Sequence, residues 1–235
     1  MTLPKAEYPL TDIYVFQLDK KIPFRPFLVK EEKLFENLKE QSRSESIETL
    51  SKCITNCSLG KVDGFTLPIF DLQNIWIQLT KISGIEIPDW LILCDECGEG
   101  NIIDIQIDKF ETVYDERHKP SFPIRDNLLV TMRYPTAKEL FDISEGKEYA
   151  EFYDLAGLCI EEIEQDTAVW NDIPSEDKIE FVDTLTRQEF DIIKLFFETM
   201  PVVRNIIEFN CSHCEAENIE IMNGYFGFHN DRFGG

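Results

Sequence analysis

Trp90-Leu-Ile-Leu-Cys94-Asp-Glu-Cys97-Gly98 runs through a short turn into Ile103, Ile105 and Ile107, which alternate with Asp104, Gln106 and Asp108. Strict alternation of apolar and polar residues marks a half-buried strand. Two such strands predict an antiparallel hairpin with Cys94 and Cys97 at its tip. The same order returns near the end of the chain, where Ile207 and Phe209 lead into Cys211-Ser-His-Cys214 and Ile219 and Ile221 leave it. Two thiolates separated by two residues at a hairpin tip can grip one zinc ion, because the turn aims both sulfurs at one point. Each pair supplies half of a tetrahedral site, so Cys94, Cys97, Cys211 and Cys214 together make a complete set. They would place sulfurs about 2.3 Å from the ion and roughly 4 Å from one another. The gap between the pairs is far longer than the roughly 15 to 20 residues of ordinary zinc ribbons. Reduced hairpins without metal therefore stay open as the alternative. A redox role is the weaker reading, since no helix N-terminus follows either pair to lower a thiol pKa.

Helices are expected before each hairpin. Leu34, Phe35 and Leu38 share one helical face beginning near Val29, and Ile47, Leu50, Ile54 and Cys57 share another. Pro68 opens a third helix through Ile69, Leu72, Ile75, Trp76, Leu79 and Ile82, which stops at Gly84. Beyond a Pro-rich connector at His118 to Pro123, Leu128, Val130 and Met132 alternate as a strand, and Thr136 with Glu139 has capping-box spacing. Phe152, Leu155, Ala156, Cys159 and Ile163 continue a helical face, a negative loop is expected over Glu161 to Asp177, and Phe190 to Phe197 reads as a helix ending before Pro201.

The order helix, strand, Cys-x-x-Cys turn, Asn-Ile, strand occurs twice, with Cys53 aligned to Cys159 and Cys57 to Ile163. This predicts an α+β protein with an internal pseudo-repeat: an extended arm over residues 1–28, a first helix-plus-hairpin unit over 29–117 and a second over 118–235. Pro4, Pro9 and Pro23 keep the arm extended in this reading, and Tyr14, Val15 and Phe16 give it an apolar surface that docks on a neighbour. An apolar partner for Cys57 in the alignment makes Cys53 and Cys57 core residues rather than ligands. His213 inside the second turn reads as an exposed turn histidine or a substitute ligand. His118 and His229 lie in polar loops.

Of the 235 residues 43% are hydrophobic, enough for a real core, while 45 acidic residues against 23 basic ones give a net charge of -22. That charge repels nucleic acid and anionic lipid, so proteins are the expected partners. The opening Met1-Thr-Leu-Pro has no charged-then-apolar signal pattern, and no apolar run approaches the roughly 18 residues of a membrane span. This predicts a chain that stays in the cytosol where it is made. Seven cysteines in that reducing compartment argue against a disulfide framework. No nucleophile with a base, glycine-rich phosphate loop or histidine-metal motif is present, which predicts a protein that is not an enzyme.

Phe24-Arg-Pro-Phe-Leu-Val-Lys-Glu-Glu-Lys-Leu-Phe resembles the opening signature of the T-even-type phage baseplate hub family. Leu67-Pro-Ile-Phe-Asp-Leu, Met132-Arg-Tyr-Pro-Thr and Phe196-Phe-Glu-Thr-Met-Pro support the resemblance in order and spacing across most of the chain. The resemblance implies a structural or assembly role in the central hub of a contractile tail. Its partners would then be other hub and tail proteins, with copies of the chain itself able to assemble in the baseplate. The location it implies is the host cytoplasm during assembly and the virion tail thereafter. Phe24 to Phe27, together with the arm, is expected to dock on a hub partner. A cytosolic zinc-ribbon adaptor is the second reading, although the acidic Cys-Asp-Glu-Cys-Gly-Glu turn lacks the basic face that a nucleic-acid adaptor would need.

Overall fold

The computed structural model describes residues 7–35, 42–86, 89–144 and 152–223, which form a mixture of helices and strands of the α+β kind. Leu38 and His229 lie outside the described residues. The chain opens with β1 (Thr11–Val15) and β2 (Lys20–Phe24), an antiparallel hairpin in which Thr11 faces Phe24 and Val15 faces Lys20. Within the described part of the segment 1–28, the expectation of an extended arm is corrected. Ile13, Val15, Ile22 and Phe24 alternate onto one face and are buried in the main core, and this period-two burial outweighs the prolines as a signal. Pro23 is tolerated because, among the described residues, β2 pairs with β1 alone, so its missing N–H interrupts no second ladder. The hairpin is pinned by Asp71, whose carboxylate accepts from the backbone N–H of Phe16 at 2.9 Å and of Gln17 at 2.8 Å. Burial pushes the Asp71 carboxyl up, and these two hydrogen bonds oppose that shift.

The Phe24 to Phe27 segment also turns inward, against the expectation that it docks on a partner. Phe24, Arg25 and Phe27 are buried, and the Phe27 ring lies 4.9 Å from that of Trp76. Glu31 in α1 (Val29–Phe35) is buried beside them. Arg25 donates to both its carboxylate oxygens, at 2.9 and 3.1 Å, while Leu28 N–H donates at 3.0 Å. The signature thus closes an internal ion pair, and its polar residues serve the fold of this chain.

Ser42 and Glu45 form a capping box at the start of α2 (Arg43–Cys57). Cys53 and Cys57 on this helix are buried, with burial pushing both thiols up to about 12, so they behave as core residues. Next, α3 (Ile69–Ser83) runs from Pro68 to Gly84, which takes the left-handed conformation at φ 65°. Leu72, Ile75, Trp76 and Leu79 of α3 enter the main core, whereas Phe70 and Ile77 enter a second, smaller one. One helix therefore serves two cores, which explains why it is apolar nearly all round.

A four-stranded antiparallel sheet, its strands adjacent in chain order, completes the main core once the chain has passed three short strands. Those three are β3 (Trp90–Leu93), β4 (Gly100–Ile103) and β5 (Glu111–Val113). The sheet itself is β6 (Ser121–Arg125), β7 (Leu128–Met132), β8 (Ile160–Gln165) and β9 (Ala168–Trp170). Helices α4 (Ala137–Ser144) and α5 (Phe152–Leu158) lie between β7 and β8, and α6 (Ser175–Asp183) and α7 (Arg187–Glu198) follow β9. The capping box of Thr136 with Glu139 is present, and Thr186 with Glu189 forms another. The expected negative loop over Glu161 to Asp177 is instead the β8–β9 hairpin and the start of α6. Ile160 and Ile163 of β8 both enter the main core although three positions apart, because a register shift opposite Thr131 and Met132 leaves Glu161 unpaired while the rest of the strand keeps its ladder. The helix through Phe152 correspondingly ends at Leu158, ahead of Cys159 and Ile163.

The smaller core gathers Phe70, Ile77, Ile105, Phe110, Val203, Ile207 and Met222. It lies between α3 and the strands β3, β4, β5, β10 (Val202–Asn210) and β11 (Glu217–Asn223). The strand expected through Ile107 stops at Ile103, because Ile107–Lys109 is a 3-10 turn, although Ile105 is buried. The alignment of Cys53 with Cys159 also fails to match elements. Cys53 is inside α2, Cys159 follows α5, and Ile163 is in β8. In chain order, α3 precedes the β3–β4 hairpin and α7 precedes the β10–β11 hairpin.

Candidate metal centre

Both hairpin tips are built alike. Gly98 N–H donates to Cys94 O, and Cys94 N–H donates to Glu99 O, each at 2.9 Å; Glu215 to Cys211 and Cys211 to Ala216 repeat both bonds at 2.9 Å. Gly98 and Glu215 each take the left-handed conformation, at φ 74° and 64°. Glycine adopts this freely, whereas Glu215 does so at a steric cost that the turn must offset.

The fold brings the two tips together although 114 residues separate Cys97 from Cys211. The sulfurs of Cys94, Cys97, Cys211 and Cys214 all lie within 4.8 Å of one another. Cys94 Sγ is 3.7 Å from Cys214 Sγ, and Cys97 Sγ is 3.6 Å from Cys211 Sγ. Four thiolates bound tetrahedrally at about 2.3 Å would stand about 3.8 Å apart. The closest pairs are therefore near the edge length of a zinc tetrahedron and far beyond the roughly 2.05 Å of a disulfide. All seven cysteines are free. Cys94 and Cys211 are buried while Cys97 and Cys214 are exposed, so each hairpin contributes one inner and one outer sulfur.

Two asparagines cross between the tips. Asn101, on β4, accepts from Ser212 N–H at 2.8 Å and points its amide at Cys211 Sγ, 3.6 Å away. Asn218, on β11, accepts from Asp95 N–H at 2.9 Å and points its amide at Cys94 Sγ, 3.5 Å away. Both are buried, and each also donates to a carbonyl of its own turn, Glu99 O at 3.1 Å and Ala216 O at 2.8 Å. These donors favour the thiolate form of the sulfurs they reach. Burial opposes ionisation of Cys211, yet the amides of His213, Cys214 and Asn101 bring its thiol down to about 6. The Cys97 amide heads a similar set that lowers Cys94. Cys214 goes up to about 12: its bond from the Ala216 amide is outweighed by proton sharing with Cys97, burial and the other nearby sulfurs. Four thiols this close cannot all ionise without a cation, which a divalent metal would supply.

All four sequence-predicted ligands thus converge. The His213 ring is exposed and outside the set; it is its backbone N–H that reaches Cys211 Sγ, at 3.4 Å. The Asn-Ile that follows each Cys-x-x-Cys is the local signal of Asn101 and Asn218, whose reach to the opposite sulfurs only the fold reveals. His118 is likewise more than a loop residue. Its ring is half-buried, stacked 5.5 Å from Tyr134 and tilted 4.9 Å from Phe196, with Thr199 Oγ1 and Tyr134 OH at 3.0 and 2.9 Å from its two nitrogens.

Fold and site together define an α+β protein in which two hairpins bring four cysteines together. The chain belongs to the T4 bacteriophage base plate protein family, which matches residues 7–227 and thus nearly the whole sequence. This makes it a structural protein of the phage baseplate. No curated protein and no solved structure matches it. Among the described residues no helix is long and apolar enough to cross a membrane.

Proposed function

We propose that this chain is a structural or assembly component of the central hub of a contractile phage tail, acting by binding other hub and tail proteins and catalysing no reaction. The family match over residues 7–227 carries this reading. The net charge of -22 supports protein partners over nucleic acid or membrane, and it keeps non-specific association low while the protein is in the host cytoplasm before it joins the tail. Copies of the chain assembling within the baseplate are compatible with the same role.

In this reading Cys94, Cys97, Cys211 and Cys214 hold one zinc ion whose work is mechanical. Bound there, zinc would neutralise four crowded thiolates and tie β3–β4 to β10–β11. The smaller core lies under these hairpins and is modest, so a cross-link at their tips supports it where apolar burial alone is limited. The turns at Cys94 and Cys211, their left-handed residues and the paired asparagines further support residues 29–117 and 118–235 as two related units. A zinc-ribbon adaptor is the less favoured alternative, since Asp95, Glu96 and Glu99 make the first tip acidic.

Copurification from infected cells tests the role. Hub or tail proteins should accompany a tagged full-length chain, and their absence, with normal tail assembly when the chain is deleted, would refute it.

A further inference from the structure

We infer that the outer face of the β3–β4 hairpin docks a partner segment that is apolar along its middle and flanked by lysine or arginine. This rests on the baseplate reading for the existence of protein partners, while the surface supplies the chemistry. Leu91 and Ile102 oppose each other across the hairpin and are 69% and 75% exposed, the two most exposed large apolar side chains among the described residues. Leu93, on the same face, is 64% exposed. Its cross-strand partner is Gly100, where an added Cβ would meet the Leu91 side chain, so Leu91 lies over the glycine and flattens the surface.

A sheet face turned to water ordinarily alternates to polar residues, and a contiguous apolar patch marks a contact. The sheet is also unfinished. Among the described residues no third strand pairs with β3 or β4, and neither strand carries the lysine, proline or bulge that commonly blunts an open edge.

Charge selects the occupant. Asp89, Asp95, Glu96, Glu99 and Asp104 are exposed around this hairpin, and residues 89–104 include no lysine or arginine. The other hairpin also turns out Ile206, Ile219 and Ile221, but its face includes Arg204, which donates to Asn223. The β3–β4 face is therefore apolar, and every charged residue within the hairpin segment is acidic. A second copy of this chain would bring a further net charge of -22 to it, and anionic lipid or nucleic acid would be repelled likewise. A cationic, apolar segment gains from both features, either across the face or along an open strand edge.

The test titrates the full-length protein, purified without chelator, with a fluorescent peptide in which isoleucine alternates with lysine. A matched peptide carries glutamate in place of lysine. The lysine peptide should bind, more weakly as salt is raised, and the glutamate peptide should not. The Leu91→Ser/Ile102→Ser variant should lose about tenfold or more in affinity, whereas Ile206→Ser/Ile219→Ser should retain it. All four positions are solvent-exposed, so circular dichroism and metal content should match the unaltered protein. Failure of the lysine peptide to bind, equal binding by Leu91→Ser/Ile102→Ser, or self-association that this variant abolishes would each overturn the inference. None of these readouts involves tail assembly, so a failed surface is distinguishable from a failed baseplate role, which copurification tests.

Discussion

Asn101 and Asn218 exchange places: each grows from one cysteine-tipped hairpin and completes the turn of the other. Asn101 holds Ser212 N–H at 2.8 Å and Asn218 holds Asp95 N–H at 2.9 Å. Because each amide also faces a sulfur of the opposite pair, neither half of the centre is fully formed without its counterpart. Partners that orient and charge-stabilise metal ligands typically contribute 10- to 100-fold to affinity. Asn101→Ala and Asn218→Ala should each weaken zinc retention by about 10-fold or more on this basis. Competition against a chromophoric chelator measures the change, and an unaltered zinc affinity in both variants would remove the asparagines from the centre.

The shared site predicts one zinc per chain by elemental analysis. Replacing Cys94 and Cys97 together, or Cys211 and Cys214 together, with serine should release it, because a single pair supplies half a tetrahedron. Chelation should lower the thermal midpoint of the unaltered protein and leave the doubly substituted variants unmoved. Retention of one zinc by either double variant contradicts the four-cysteine site.

Arg25 and Glu31 make a buried, two-pronged ion pair. Removing one partner strands a charge in the core, so Arg25→Met should destabilise the protein by about 3–5 kcal/mol, while Arg25→Met/Glu31→Leu should recover much of the loss. Burial opposes the Glu31 charge, but Arg25 and the Leu28 amide outweigh it and hold its carboxyl below the ordinary range. A depressed carboxylate stabilises the fold above its unfolded pKa, about 4.3. That contribution is lost as pH falls through the folded value. Denaturant unfolding of the two variants from neutral pH down to acid separates these effects; a double variant as unstable as the single one would argue against the pair.

His118 should make stability pH-dependent in a higher window. Thr199 Oγ1 already donates to Leu195 O at 2.7 Å, so it accepts from Nδ1–H of His118, which leaves Nε2 to accept from Tyr134 OH. That arrangement fits the neutral ring, and burial lowers the His118 pKa against the pull of Asp115. A depressed histidine contributes fully above its unfolded pKa, about 6.5, and its contribution falls as pH drops through that value toward the folded one. The thermal midpoint of the natural chain should therefore drop more between neutral and mildly acid pH than that of His118→Gln. Parallel pH profiles would show that the fold leaves the His118 pKa unshifted.

Much was legible in local pattern. The helix from Ile69 to Ser83 has its boundaries written in Pro68 and Gly84, the Thr136 to Glu139 cap follows from residue types three apart, and alternation around each Cys-x-x-Cys marks a hairpin, because these features depend on neighbours in sequence. What failed was the reading of segments whose partners are distant. Thr11 to Phe24 shows prolines locally but buries Ile13, Val15, Ile22 and Phe24 only because the main core lies beside it. The acidic run from Glu161 becomes a strand because β7 offers it a ladder. The candidate ligands were identifiable from sequence, yet two Cys-x-x-Cys turns are only half-sites until tertiary packing sets their sulfurs within 4.8 Å. That packing comes from the smaller core, on which residues of both hairpins meet Phe70 and Ile77 of α3, and no local propensity encodes the distance between residues more than a hundred positions apart.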